Sequence, residues 1–187
     1  MKKILKYTIY AFLALVFVAL VVRIWIFDAS NVFTDIVPTE NAKTAYAENQ
    51  EILSHELIQN IADDGNSRGY ALVYIPESGE LQITMKYNLS ILKKASLPEG
   101  YEFQFKLFDT ETEREYYAVY YQRDIKGNYG FTRAVFEGVH FSEGADIEIV
   151  MCSEDYSEDY SCYKVHASKQ DFEPYKLSKE EIALLGQ

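Results

Sequence analysis

From residue 70 onward, apolar and polar positions alternate in short runs. Leu81, Ile83, Met85, Tyr87 and Leu89 alternate with Gln82, Thr84, Lys86 and Asn88. Tyr101, Phe103, Phe105 and Leu107 alternate with Glu102, Gln104 and Lys106. A period of two sends successive side chains to opposite faces, so each run reads as a strand with one buried and one wet face, the habit of antiparallel sheets. Runs of the same kind occupy 70–76, 115–123, 129–137, 145–152 and 160–167. Short connections such as Glu77-Ser78-Gly79 and Lys126-Gly127-Asn128 predict hairpins. The longest connection, 91–100, contains Pro98 and Gly100 and predicts a crossing between sheets.

These seven short strands predict a mainly β fold, an antiparallel sandwich of immunoglobulin-like architecture, with a closed barrel as the alternative. The antibody pattern itself is absent, because the two cysteines lie close together and Trp25 falls outside the strands. Architecture of this kind carries no function by itself.

Two segments break the period of two. In 44–62, Leu53, Leu57 and Ile61 recur at i, i+4 and i+8, which predicts a helix capped by Thr44 and stopped near Gly65. The tail LSKEEIALLGQ predicts a terminal helix capped by Ser178. The expected organisation is 1–27 as a cytoplasmic stub and transmembrane anchor and 28–43 as a juxtamembrane linker. A helical segment over 44–66 and a β domain over 67–187 follow.

The anchor rests on the first residues. Tyr7 to Val22 carries no charge, and after Arg23 the apolar run continues through Phe27. Tyr7 to Phe27 spans about 31 Å as a helix, close to a hydrocarbon core of about 30 Å. Arg23 lies near one end, where its stem can snorkel, with Trp25 beside it as an interfacial residue. Lys2, Lys3 and Lys6 precede the run, so the positive-inside rule puts the N-terminus in the cytoplasm and everything after residue 28 outside. The alternative is a cleaved signal peptide and a secreted product. Its cleavage site is poor, since Phe27-Asp28-Ala29 offers a large residue where a small one is needed.

Composition narrows the function classes. Hydrophobic residues at 48% and charged residues at 25% exclude a disordered chain. The net charge of −11 conceals an asymmetry. Lys2, Lys3, Lys6 and Arg23 precede Asp28 and no acid does, so the remaining 14 basic and 29 acidic residues carry a net −15. That balance repels nucleic-acid phosphates and excludes DNA or RNA as a partner.

Cys152 and Cys162 bracket SEDYSEDYS. Folding 145–152 onto 160–167 so that they face each other pairs Ile149 with Val165 and Met151 with Tyr163 on an apolar face. Val150 then meets Lys164 and Glu148 meets His166 on the polar face. Outside the cytoplasm this predicts a Cys152–Cys162 disulfide worth about 2–3 kcal/mol.

Four carboxylates, Glu154, Asp155, Glu158 and Asp159, sit between the cysteines. They are a candidate for Ca²⁺, although the spacing does not fit an EF-hand loop and no glycine makes the turn. No H-E-x-x-H, G-x-S-x-G or phosphate-binding glycine motif occurs. The reading is therefore of a protein that is not an enzyme and needs no cofactor, with an anchored hydrolase as an outsider. Tyrosine is the unusual component, at 16 residues with 13 from Tyr70 onward. In EYYAVYYQR, Tyr116 and Tyr120 share one phase and become the candidate binding residues, since exposed aromatic rings suit protein partners or sugars. The expected role is binding or scaffolding at the cell surface through protein contacts, with an envelope glycan as the alternative ligand.

Overall fold

In the computed structural model, which describes residues 2–27, 36–57, 67–98, 101–140, 145–167 and 171–187, the alternation becomes two antiparallel sheets. Helix α1 (Lys2–Phe27) is followed by α2 (Glu40–Ala47), β1 (Leu53–Glu56), β2 (Ser67–Ile75), β3 (Glu80–Asn88) and α3 (Ser90–Lys94). Then come β4 (Gln104–Asp109), β5 (Arg114–Tyr117), β6 (Tyr120–Lys126), β7 (Tyr129–Phe136), β8 (Ala145–Cys152) and β9 (Asp159–Ala167). The short β10 (Glu173–Pro174) and α4 (Lys179–Leu185) complete the chain order. The six-stranded sheet runs β10-β1-β2-β3-β7-β6, and the four-stranded sheet runs β5-β4-β8-β9.

The two sheets share one apolar core. Leu72, Ile83, Met85 and Ala134 come from the first sheet, and Phe105, Leu107, Ile149 and Tyr163 from the second. The connection 91–100 does cross between sheets, with Ile91 and Leu92 of α3 plugging that end of the core. Between β6 and β7, Gly127-Asn128 makes a two-residue turn, and Gly127 takes the positive φ of 58° that such turns require.

Two expected elements differ. The 115–123 run is not one strand. Ala118 N–H donates to Phe105 O in the four-stranded sheet, and the next amide, Val119 N–H, donates to Val135 O in the six-stranded one. The chain changes sheets within one peptide, so β5 and β6 belong to different layers. The helix expected over 44–62 is also replaced, by the shorter α2 and then strand β1. Leu53 and Leu57 are both buried, but Leu53 opens strand β1 and Leu57 directly follows it, its N–H donating to Tyr70 O of β2. A spacing of four satisfies a period of two as well as a period of 3.6, so those leucines could not discriminate. The cap is Thr39, whose Oγ1 accepts from Ala42 N–H, rather than Thr44. Residues 58–66, which carry Ile61 and Gly65, lie outside the described residues. The terminal helix forms as expected, with Ser178 and Glu181 completing a capping box.

A strap over residues 36–41 lies on the outer face of the six-stranded sheet. Gln82 holds Val37 as a neighbouring strand would: its Oε1 accepts from Val37 N–H at 2.7 Å, and its Nε2 donates to Val37 O at 3.0 Å. Thr39 Oγ1 donates to the Glu80 carboxylate at 2.7 Å, Asn41 Nδ2 donates to it at 3.1 Å, and Arg133 Nη1 donates to Ile36 O at 3.3 Å. Ile36, Ala42, Ala45, Val73, Ile75 and Leu185 pack together beneath α2 and α4. Glu80, Gln82 and Arg133 are all buried; hydrogen bonds to the strap offset the desolvation of Glu80 and Gln82, while Arg133 bonds the strap through Nη1 and its Nη2 has no hydrogen-bond partner among the described residues.

Helix α1 contrasts with this body. Its residues 7–21 are exposed throughout, with Tyr7, Phe12, Leu15 and Phe17 at 67–72%. Residues 7–21 alone, at about 22 Å, are shorter than a hydrocarbon core. Among the described residues no helix is long and apolar enough to cross a membrane.

Candidate functional site

Helices α2 and α4 pack on the outside of the six-stranded sheet, whereas on the outside of the four-stranded sheet Glu115, Tyr117 and Lys164 are exposed around a buried Val150. The strand registers arrange its outward side chains in rows. Tyr117 of β5 lies beside Lys106 of β4, which lies beside Val150 of β8, which lies beside Cys162 of β9. In the adjacent row Glu115, Phe108, Glu148 and Lys164 follow one another in the same strand order. Alternation fixes this face, since the intervening Leu107, Ile149 and Tyr163 belong to the core.

The β8–β9 hairpin brings a second aromatic ring. Tyr156 packs on Tyr117 with centroids 4.7 Å apart and planes at 74°, an edge-to-face contact. Tyr117 Oη donates to Glu115 at 2.9 Å, and that hydrogen bond raises the phenol's pKa. Lys106 Nζ pairs with Asp159 at 3.0 Å, which raises the ammonium's pKa, and Lys164 Nζ pairs with Glu148 at 2.9 Å. Tyr117 remains 48% exposed despite these contacts.

Of the two tyrosines singled out from the sequence, Tyr116 is half-buried and packs against the core, opposite Leu107. Tyr120 is exposed but stands on β6 in the other sheet. The sheet change at Ala118 separates them, and the aromatic pair on the open face is instead Tyr117 with Tyr156. Tyr117 was within reach of the sequence, being the opposite phase of the same run. Tyr156 was not, because nothing local says how a hairpin tip folds back.

The cysteine register also differs from expectation. Strand β9 is displaced by two residues, so that Ile149 faces Tyr163, Val150 faces Cys162 and Glu148 faces Lys164. A bulge follows Met151 and sets Cys152 opposite Asp159. A two-residue slip keeps every side chain on its face, so sorting apolar from polar cannot detect it. Packing across the core selects the observed register. A Cβ on Gly69 would lie 2.8 Å from the Tyr163 ring, so that ring occupies the space only glycine leaves. Next to it Ser67 Oγ meets Ser161 Oγ at 2.8 Å. Cys152 and Cys162 are both free thiols. Cys152 Sγ donates to Gln104 O and Cys162 Sγ donates to Glu148. Burial pushes both pKa values up to about 11, so neither is a thiolate at neutral pH.

The four carboxylates of the hairpin do not converge. Asp155 accepts from Ser153 Oγ at 2.6 Å and Ser157 Oγ at 2.7 Å, and these bonds hold its pKa down to about 2. Glu158 accepts from Tyr160 Oη, Asp159 pairs with Lys106, and Glu154 is exposed, its backbone N–H donating to Tyr101 Oη. Among the described residues no group of three or more His, Cys, Asp or Glu gathers as metal ligands.

No family model, curated protein or solved structure matches this chain. Its chemistry is therefore read from the site alone. The open face offers aromatic edges, two ion pairs and the part-buried Cys162 thiol, whereas Cys152 is buried.

Proposed function

We propose that the chain is a membrane-anchored, extracytoplasmic binding or scaffolding protein, with α1 as a single-pass anchor and an immunoglobulin-like β-sandwich outside the cell. The observation that carries this reading is the all-round exposure of the apolar α1 beside a body that closes its own core. A helix that is apolar on every side needs an apolar surrounding, and a bilayer supplies one. In the sequence the apolar run is Tyr7–Phe27, interrupted by Arg23 and long enough to span.

On this reading the partner is a protein that meets the open face of the four-stranded sheet around Tyr117 and Tyr156. Aromatic residues beside ion pairs form the kind of centre on which protein interfaces concentrate their energy. The edge-to-face ring pair also supports the second reading, an envelope glycan, for which the accessible face of Tyr117 provides a stacking surface. The test is a pull-down from crosslinked cells alongside a polysaccharide-binding assay, each repeated with Tyr117→Ala plus Tyr156→Ala. Loss of the crosslinked partner supports the first reading, and loss of polysaccharide binding alone supports the second. Retention of both signals removes this face from consideration.

A further inference from the structure

The strap has a direction. Asn41 and Thr39 bond Glu80, Val37 bonds Gln82, and Ile36 bonds Arg133, which pairs with Thr84. Read backwards, residues 41 to 36 climb β3 from residue 80 towards residue 84. Ile36 is therefore the end of the strap nearer the Asn88 end of β3. Four further residues, about 14 Å of strand, separate the Thr84 level from that end. Residues 28–35 reach at most about 28 Å when fully extended.

The Asn88 end is built from the β3–α3 corner and the β6–β7 hairpin. Between them lies a groove of about 550 Å³, lined in part by Leu89, Leu92, Lys93, Leu97, Ile125 and Tyr129. Ile125 is 43% exposed, and Lys93 and Lys94 project from α3 into solvent. An exposed isoleucine and a part-buried tyrosine and leucines beside lysines suit the headgroup region of a bilayer. Lys126 stands on β6 of the strap-bearing sheet, and Lys93 lines the groove beside Ile125 and Tyr129 of that sheet. Asp124 is there too, bonded to the Ile125 amide. Glu102 is on this side as well, paired with Arg123 of β6 at 3.6 Å, whereas Glu154, Asp155 and Glu158 belong to the β8–β9 hairpin of the four-stranded sheet.

Resting on the reading of α1 as an anchor, we propose that the β3–α3 corner and the β6–β7 hairpin lie against the lipid headgroups of the membrane that α1 enters. The contact is made on the strap-bearing side, where the lysines are. The opposite end, with the β2–β3 turn at 76–79, the β4–β5 turn at 110–113 and residues 137–140, points away from the bilayer.

The test uses the full chain, isotopically labelled, in phosphatidylcholine–phosphatidylglycerol nanodiscs that contain a lipid with a paramagnetic headgroup. Amide signals of residues 89–97 and 125–129 are expected to broaden severalfold more than those of 76–79, 110–113 and 137–140. Equal broadening at the two ends, or the reverse order, overturns the proposal. A companion measurement separates it from the anchoring reading. Full-length protein is expected to float with vesicles of the same lipids and to resist extraction by alkaline carbonate. Flotation without the end-to-end difference sinks the orientation and leaves the anchor standing, whereas failure to float sinks both. Lys93→Glu with Lys94→Glu is expected to weaken broadening at 125–129 severalfold while flotation persists. Undiminished broadening in that variant overturns the lysine contact.

Discussion

The two outer faces of this molecule solve opposite problems. On the six-stranded sheet, Glu80 and Gln82, which a bare strand would hold in water, are buried and hydrogen-bonded to the strap. Gln82 is 3% exposed and Glu80 is fully covered. On the four-stranded sheet, side chains of the same chemical types remain in contact with solvent and pair with each other. The difference teaches that a polar residue on a strand's outward phase says which side it faces and nothing about what lies on top of it. Burial converts such a residue from a solubilising group into a structural tie, because an unmet hydrogen bond has a price only where water cannot reach.

The largest effect is expected where the covered face is broken. Gln82→Leu keeps the bulk but orphans the Val37 N–H, while Val37 O keeps the Thr39 N–H, and should cost about 1–3 kcal/mol for the buried unsatisfied group. Urea unfolding of the full chain in detergent measures this, and a loss below about 0.5 kcal/mol would mean that the strap contributes little. A smaller effect is expected at the edge of the same face. Ser178→Ala removes half of a capping box and should cost about 1 kcal/mol by the same assay. On the open face, the double-mutant cycle of Glu148→Ala and Lys164→Ala should return a coupling below about 1 kcal/mol, as for exposed pairs generally. A coupling well above that would show that something covers this face in solution.

The subtlest effect is electrostatic. Asp155 titrates at about 2 rather than at its ordinary 3.8, held down first by the Ser153 hydroxyl and then by Ser157. Because the folded pKa is depressed, the hairpin gains stability from this group above about pH 4 and loses it as pH falls through about 2. NMR titration of the Asp155 carboxyl should give that low midpoint, with Ser153→Ala moving it upward. A wild-type midpoint near 4 would mean that these hydrogen bonds do not persist in water.

Much of the β layout was legible because alternation is a local property. Strands β2, β3, β4 and β7 fall close to where the period of two put them, and the crossing at 91–100 followed from its length and its proline. What escaped was set by contacts distant in sequence. The sheet change at Ala118 leaves the alternation of Tyr116 to Tyr121 unbroken, so only pairing partners disclose it. The β9 register was ambiguous by two residues until Gly69 and Tyr163 met across the core. The helix expected over 44–62 failed because leucines four apart fit a strand equally well. Of the candidate site, the aromatic character of the 115–123 segment was readable, but which tyrosines reach solvent was not.

The central claim is that α1 holds the β body on the outer side of a membrane, and paired fusions at Gln187 test it most directly. Alkaline phosphatase, which requires export, should be active there. A fluorescent protein that matures only in the cytosol should stay dark, with both fusions in the membrane fraction after carbonate washing. A bright cytosolic fluorophore with inactive phosphatase, or either fusion released into the soluble fraction, would contradict the account.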